Sequence, residues 1–277
     1  MISVSMGLAA ALLWGVGALV VKSLSHQIEP KPLAFWFFFY NTVLVALPAA
    51  LAVGEGGLET AALYVGGASG LATALAIGSE ARAFSLGQVV TVTPLIALEG
   101  AVAAVLGIIT GSPVSAMTAI ALLLCAAGGF GVGLPRGIAL RSPGVGWALA
   151  AAGGFGISLW VLGDSEAEVL TVLFLANLTG ALVLAGIARG EVHPRDTTPR
   201  VQAKLALLGV LNLAGLLAFT YGSRNGSLPV TAVLAAQFAV PAIVGGYIIH
   251  KERMTLIQGL STVGLLCGVG ILAASAG

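Results

Sequence analysis

The sequence predicts an all-α integral membrane protein of ten transmembrane helices arranged as two inverted five-helix repeats. Three observations carry that reading: composition, segmentation and self-similarity. Of the 277 residues, 58% are hydrophobic and 8% charged, and the mean hydropathy is +1.05, whereas soluble domains carry about 25% charged residues. No soluble surface can be made from this composition. An apolar stretch of roughly 20 residues spans a bilayer, and in lipid each span must satisfy its own backbone hydrogen bonds, so the spans are helices.

Charged residues, prolines and glycines divide the chain into apolar segments near 4–21, 33–53, 61–79, 87–109, 114–134, 144–162, 168–188, 203–222, 229–249 and 256–275. The opening MISVSMGLAA has no Lys or Arg and runs on as a full-length span, so it reads as the first helix rather than a signal peptide. The longest connection, from Arg189 to Lys204, is too small and polar to be a domain. Cys125 and Cys267 both lie inside apolar stretches and suggest neither a disulfide framework nor a metal site. A net charge of +1 leaves no concentrated basic face for nucleic acid.

The chain also repeats itself. Aligning the first segment with the sixth pairs Gly7 with Gly146, Ala9 with Ala148, Ala11 with Ala150, Gly15 with Gly154 and Gly17 with Gly156. The second and seventh segments pair Asn41 with Asn177, Gly54 with Gly190 and Glu55 with Glu191; polar matches in apolar helices are hard to obtain by chance. Further on, Arg82 pairs with Arg224, Ser85 with Ser227, Leu86 with Leu228, and LLC at 123–125 with LLC at 265–267. The expected units are residues 1–138 and 139–277. Because five is odd, the second unit enters the membrane from the opposite side, an arrangement that places a solute site near the midplane between the halves.

Loop charge supplies the orientation. With the amino terminus outside, the cytoplasmic loops hold eleven of the twelve Lys and Arg residues, and Arg224 alone faces outward. The positive-inside rule therefore predicts that both termini face away from the cytoplasm.

Three stretches carry a family resemblance: ALLWGVGALVVKSL at the end of the first segment, ARAFSLGQVVTVTPLIALEGAVAAVLG across the third and fourth, and HKERMTLIQGLSTVGLLCGVGIL before and through the last. Together they resemble the EamA-type drug/metabolite transporter superfamily over essentially the whole chain. The first half departs from the pattern, with ITGSPVS where the second has HKERMT, so the acid expected before the fifth helix is missing. The resemblance implies a secondary transporter of a small organic metabolite such as an amino acid, a sugar or a drug-like amine. It also implies that the helices carrying Gln237 and Asn212 line a cavity.

Among residues that could carry chemistry, Glu99 is the one ionisable group halfway along a segment, where charge is costly and an acid is read as functional by default. At a hundred degrees per residue, Gln88 shares its face, and Pro94 between them leaves the carbonyl of Val90 free. Two readings of Glu99 stand: a proton-coupling or cation-binding carboxylate, or a neutral hydrogen-bonded structural residue. Asn41, Asn177, Asn212 and Gln237 sit near midplane; Asn41 and Asn177 read as interhelical hydrogen-bonding groups, Asn212 and Gln237 as solute-binding groups. Trp14, beside Gly15 and Gly17, reads equally as a stacking platform or a packing residue. Arg82 and Arg224 either snorkel to headgroups or close a gate by pairing with an acid such as Glu80. The run FWFFFY at 35–40 reads as an interfacial belt.

The function classes narrow accordingly. An intramembrane enzyme needs a nucleophile with a base, paired acids or a metal site, yet His26, His193 and His250 lie in loops or at segment ends, and no HExxH or GxSxG string occurs. GGFGVG at 128–133 resembles a phosphate loop by letter alone, with no Lys-Ser/Thr after it. No cofactor is expected. The expected partners are a small-molecule substrate, the lipid bilayer and a coupling proton or cation, with a passive channel or structural membrane subunit as the alternative class.

Overall fold

The fold is given by a computed structural model that describes residues 1–25, 27–53, 58–86, 89–132, 143–188, 190–192, 197–241 and 256–275. Gln88, all three histidines and the HKERMT segment at 250–255 lie outside the described residues. In order, the helices are α1 (Ile2–Ser25), α2 (Pro30–Val53), α3 (Thr60–Leu86), α4 (Val89–Ile96), α5 (Glu99–Ile109), α6 (Ala116–Val132), α7 (Pro143–Asp164), α8 (Val169–Ile187), α9 (Pro199–Arg224), α10 (Leu228–Ala235) and α11 (Leu256–Ser275), with a 3₁₀ turn at Ala236–Phe238 after α10. The described residues contain no strand.

Seven helical stretches among the described residues are long and apolar enough to cross a membrane. They correspond to the first four and the sixth to eighth predicted segments. Shorter apolar helices at Ala116–Gly128, Leu228–Pro241 and Gly259–Val269 occupy the places of the other three.

The fourth segment differs from a single rod. Pro94 supplies no backbone N–H, and two residues past it the ladder loosens: the Leu98 and Gly100 amides reach only to the carbonyls of Leu95 and Ala97, at 3.3 and 3.4 Å. Helix α5 then starts afresh at Glu99. The hundred-degree count that put Gln88 and Glu99 on one face assumes an unbroken helix and does not carry across this seam.

The molecule is apolar outward as well as inward. Leu47, Leu51, Leu123 and Leu256 are largely exposed, as suits side chains in lipid, while the buried positions are rich in Ala, Gly and Ser. Lipid tails are as apolar as leucine, so helices gain by approaching closely rather than by hiding hydrophobic surface. The glycines mark the approaches: Gly7 of α1 lies against Thr231 and Leu234 of α10, Gly66 and Gly70 of α3 against Val172 and Ala176 of α8, and Gly156 of α7 against Glu99 and Val102 of α5.

Packing partners are exchanged between the two stretches of chain. Helix α1 packs on α9 as α7 packs on α3; α2 packs on α9 as α8 packs on α3; α1 packs on α10 as α7 packs on α5. The pairs α2 with α8, α5 with α10 and α6 with α11 meet each other directly. In the last pair Cys125 is buried, with its thiol 3.9 Å from the Leu265 carbonyl, whereas Cys267 is exposed, so the two cysteines occupy different environments.

The crossing of α5 and α10 has the least slack: a Cβ placed on Gly100 would lie 2.4 Å from the Ala236 Cβ and 2.5 Å from the Ala232 carbonyl oxygen. Gly100→Val is therefore expected to cost at least the ~1–3 kcal/mol typical of overpacking, read as a lowered melting temperature and loss of the monodisperse peak in detergent. At Gly67 nothing lies within 4 Å, and Gly67→Ala should leave both unchanged.

Candidate functional site

A cavity of about 160 Å³ lies at the middle of the helical array, walled by α1, α2, α3, α7, α8 and α9, the end of α4, the start of α5 and Phe238. Each wall arises from a local feature of the chain. In α1, Gly17 and Ala18 leave space beside Trp14, whose ring packs onto Gly215 of α9 and whose indole N–H reaches the Asn212 backbone carbonyl at 3.5 Å. On α2, Phe37 and Phe38 turn inward, and the Phe38 ring sits over Gly180 of α8, where a side chain would collide with it.

This inward turn corrects the reading of FWFFFY as a belt. Six successive residues on a helix point all around it. Phe35 and Phe39, four apart, stack on one another on one side, while Phe37 and Phe38 are buried and line the cavity.

The polar part of the wall comes from three sources. Ser69, Thr73 and Ser158 form a hydroxyl cluster between α3 and α7, with both Ser69 and Thr73 oxygens 2.7 Å from that of Ser158. The Asn177 amide donates to the Leu173 carbonyl of its own helix at 2.7 Å, just as the Asn41 amide donates to Phe37 at the same distance. Asn41 is fully buried and lies off the cavity, but its side-chain oxygen accepts a 2.9 Å bond from the Asn212 amide, which does face it.

The remaining polar groups are two carboxyls. Glu99 is only 5% exposed and enters the cavity from the first residue of α5, at the seam of the broken segment. Glu80 enters from α3, within electrostatic reach of Glu99. Glu99 is thus not the sole ionisable group at this depth. Hydropathy ended the third segment at 79, whereas α3 continues to Leu86 and carries Glu80 into the wall. Among the described residues neither carboxyl has a hydrogen-bond or ion-pair partner, and no residue lining the cavity is Lys, Arg or His.

The structure thus brings Trp14, Glu99 and Asn212 together and places the other candidates elsewhere. Gln237 is buried away from the cavity, beside Pro94, Ala97 and Phe130; its amide donates to the Val233 carbonyl at 2.7 Å. Gln88 is outside the described residues. Arg82 is exposed at the end of α3 and forms no ion pair with Glu80. Arg224, at the end of α9, donates to the carbonyls of Ala167 at 2.6 Å and Leu162 at 3.5 Å, bridging α9 to the end of α7 and the α7–α8 turn. Beside it, Ser3 of α1 accepts from the Ser227 amide at 2.7 Å, closing the same end of the molecule. At the opposite end Lys31 pairs with Glu191 at 2.6 Å, half exposed, and Lys204 donates to the Ser23 hydroxyl at 2.7 Å.

Comparisons with known proteins fit this arrangement. The model of a family described as the EamA-like transporter family matches residues 1–134 and again 142–274. No curated protein matches the chain in sequence. A solved crystal structure described only as that of a protein is similar, with a TM-score of 0.73 and 18% identity over 99% of this chain and 97% of that one. At that identity the likeness shows the fold alone.

The Arg224 end of the molecule gives a direct test of its own. Glu168 caps α8, its two oxygens accepting from the Leu170 and Thr171 amides at 2.9 and 2.6 Å. Burial opposes its ionisation, but the hydrogen bonds from Thr171 and Leu170 and the charge of Arg224 outweigh burial and hold the carboxyl below its ordinary range. A carboxylate depressed in the folded state contributes stability that is fully present above the ordinary carboxylate range and is lost as pH falls through its folded value. Glu168→Ala should cost about 0.5–2 kcal/mol, the usual range for a lost cap, and the gap in melting temperature between wild type and variant should close in acid. A gap that persists at pH 3 would count against this account of the cap.

Proposed function

This chain belongs to the EamA-like transporter family, and from that premise we propose that it is a secondary transporter moving a small organic metabolite by alternating access, coupled to a proton or cation at Glu99. The coarser statements need no proposal: it is a multi-pass integral membrane protein of the drug/metabolite transporter type, in a family of transporters rather than enzymes, and a small-molecule substrate and the lipid bilayer are its partners.

One observation carries the finer reading. The central cavity is walled by α1, α2 and α3 and equally by α7, α8 and α9, and a carboxyl enters it at the seam of a broken helix. A site shared by two groups of helices changes its exposure when one group rocks against the other, and discontinuous helices at midplane are the usual carriers of coupling groups in such proteins. The exchanged packing of α1 on α9 with α7 on α3 supports two five-helix units, 1–138 and 139–277, related by inversion and together making ten spans. With eleven of twelve Lys and Arg on one side, both termini belong outside.

Reconstituted into liposomes, the wild type is expected to accumulate its solute against a gradient when a proton gradient is imposed. Glu99→Gln keeps the size but cannot ionise; it should lose that accumulation while retaining counterflow, which needs no net proton movement. Wild-type accumulation should vary with pH and the variant's should not. Glu80 of α3 is the other titratable group on the cavity wall, so the pH comparison is made in Glu80→Gln as well. Equal accumulation and equal pH profiles for wild type and Glu99→Gln would overturn the coupling role. Labelled-solute entry that unlabelled solute on the far side fails to accelerate would replace the carrier with a passive channel.

Orientation is tested separately by fusing alkaline phosphatase or a fluorescent protein to the carboxy terminus. Phosphatase activity without fluorescence is the expected result.

A further inference from the structure

The composition of the cavity wall restricts what the cavity can hold. Two carboxyls, Glu80 and Glu99, face it without a hydrogen-bond or ion-pair partner among the described residues, and no basic side chain lines it. An acid inside a membrane protein persists only if it is protonated or faces a positive charge. Since the described protein offers no such charge, it must come from a proton or from the occupant.

The rest of the wall is apolar and aromatic, with rings from Trp14, Phe37, Phe38, Phe155 and Phe238. Rings attract cations over their faces. They give nothing to a hard metal ion, which needs six or more oxygen ligands in place of its water. Size narrows the occupant further. A dry cavity of about 150 Å³ holds benzene, so one of about 160 Å³ holds a single ring and a short chain. An amino acid carries a carboxylate that would face Glu80 and Glu99 with no basic partner, and a sugar leaves both acids uncompensated.

We propose that the cargo is an organic cation about one aromatic ring in size, an arylalkyl amine or quaternary ammonium, whose charge lies between Glu80 and Glu99 and whose apolar body lies against Phe37, Phe38 and Phe155. This makes Glu80 a second cargo-binding carboxylate. As cargo, the ligand rests on the transporter reading; as a binding site, it does not. The charge balances as an exchange: the protonated acids release a proton when the cation enters and regain it when the cation leaves.

Binding to purified protein in detergent, followed by the fluorescence of Trp14 and by melting temperature, tests the site. The probes are benzyltrimethylammonium, phenethylamine, L-phenylalanine, phenylacetate and glucose. Both cations should bind saturably, at least tenfold more tightly than the other three, and the permanent charge of benzyltrimethylammonium excludes binding through a shared proton. Glu80→Gln should weaken both cations at least tenfold while the unliganded protein melts as wild type. Should that variant fail to fold, the wild-type selectivity alone decides. Phenylalanine or glucose binding as tightly as phenethylamine, absence of saturable cation binding, or a folded Glu80→Gln that binds as wild type would each overturn the proposal. Counterflow with labelled phenethylamine separates the two readings. Binding without exchange refutes the cargo role and the transporter reading while leaving the cation site, whereas exchange of phenylalanine or glucose in preference to the amine refutes the cation class and upholds transport.

Discussion

Close approach of helices at small residues is the constraint on which the rest of this structure depends. In lipid there is no reward for covering a leucine, so the array is held where Gly or Ala lets one backbone lie against another: Gly7 on α10, Gly66 and Gly70 on α8, Gly100 on Ala232 and Ala236, Gly156 on α5. These contacts hold the outer helices at fixed spacing. The cavity persists in the middle because the side chains there are large and ring-shaped, and because Phe38 is lodged over Gly180 and Trp14 over Gly215 rather than collapsed inward.

The seam in the fourth segment follows from the same economy of contacts. Pro94 weakens the helical ladder, and the seam at Ala97 and Leu98 starts a new helix whose first residue is an acid. Glutamate at that position meets the positive end of the α5 dipole, and the adjacent Gly100 brings α10 close enough to fix the angle at which α5 leaves. One proline and one glycine, six residues apart, thus determine where the Glu99 carboxyl enters the cavity.

Much of this was legible in the sequence, because apolar runs of about 20 residues have few alternatives in a bilayer. The helices from α1 to α3 and from α7 to α9 fall where the hydropathy places them, and Glu99 stood out as a costly residue. The misses share a physical cause. Helices that face lipid on one side and a largely apolar cavity on the other show no polar stripe, so the inward turn of Phe37 and Phe38 and the outward turn of Phe35 and Phe39 could not be told apart. Glu80 lay just past the end of an apolar run, and only the continuation of α3 to Leu86 brings it inside. Ser69, Thr73 and Ser158 are common helix residues, and their meeting depends on how α3 packs on α7, which no local pattern encodes. Gln237 matched Asn212 in chemistry but turns its amide back to its own helix.

Asn41 touches nothing in the cavity, yet it holds the oxygen to which the Asn212 amide is bonded. The orientation of a wall residue is therefore set from behind, by a side chain that no bound molecule reaches. Selectivity in such an arrangement can be retuned without altering a single atom in contact with the cargo, so two chains with identical cavity linings can differ in what they accept.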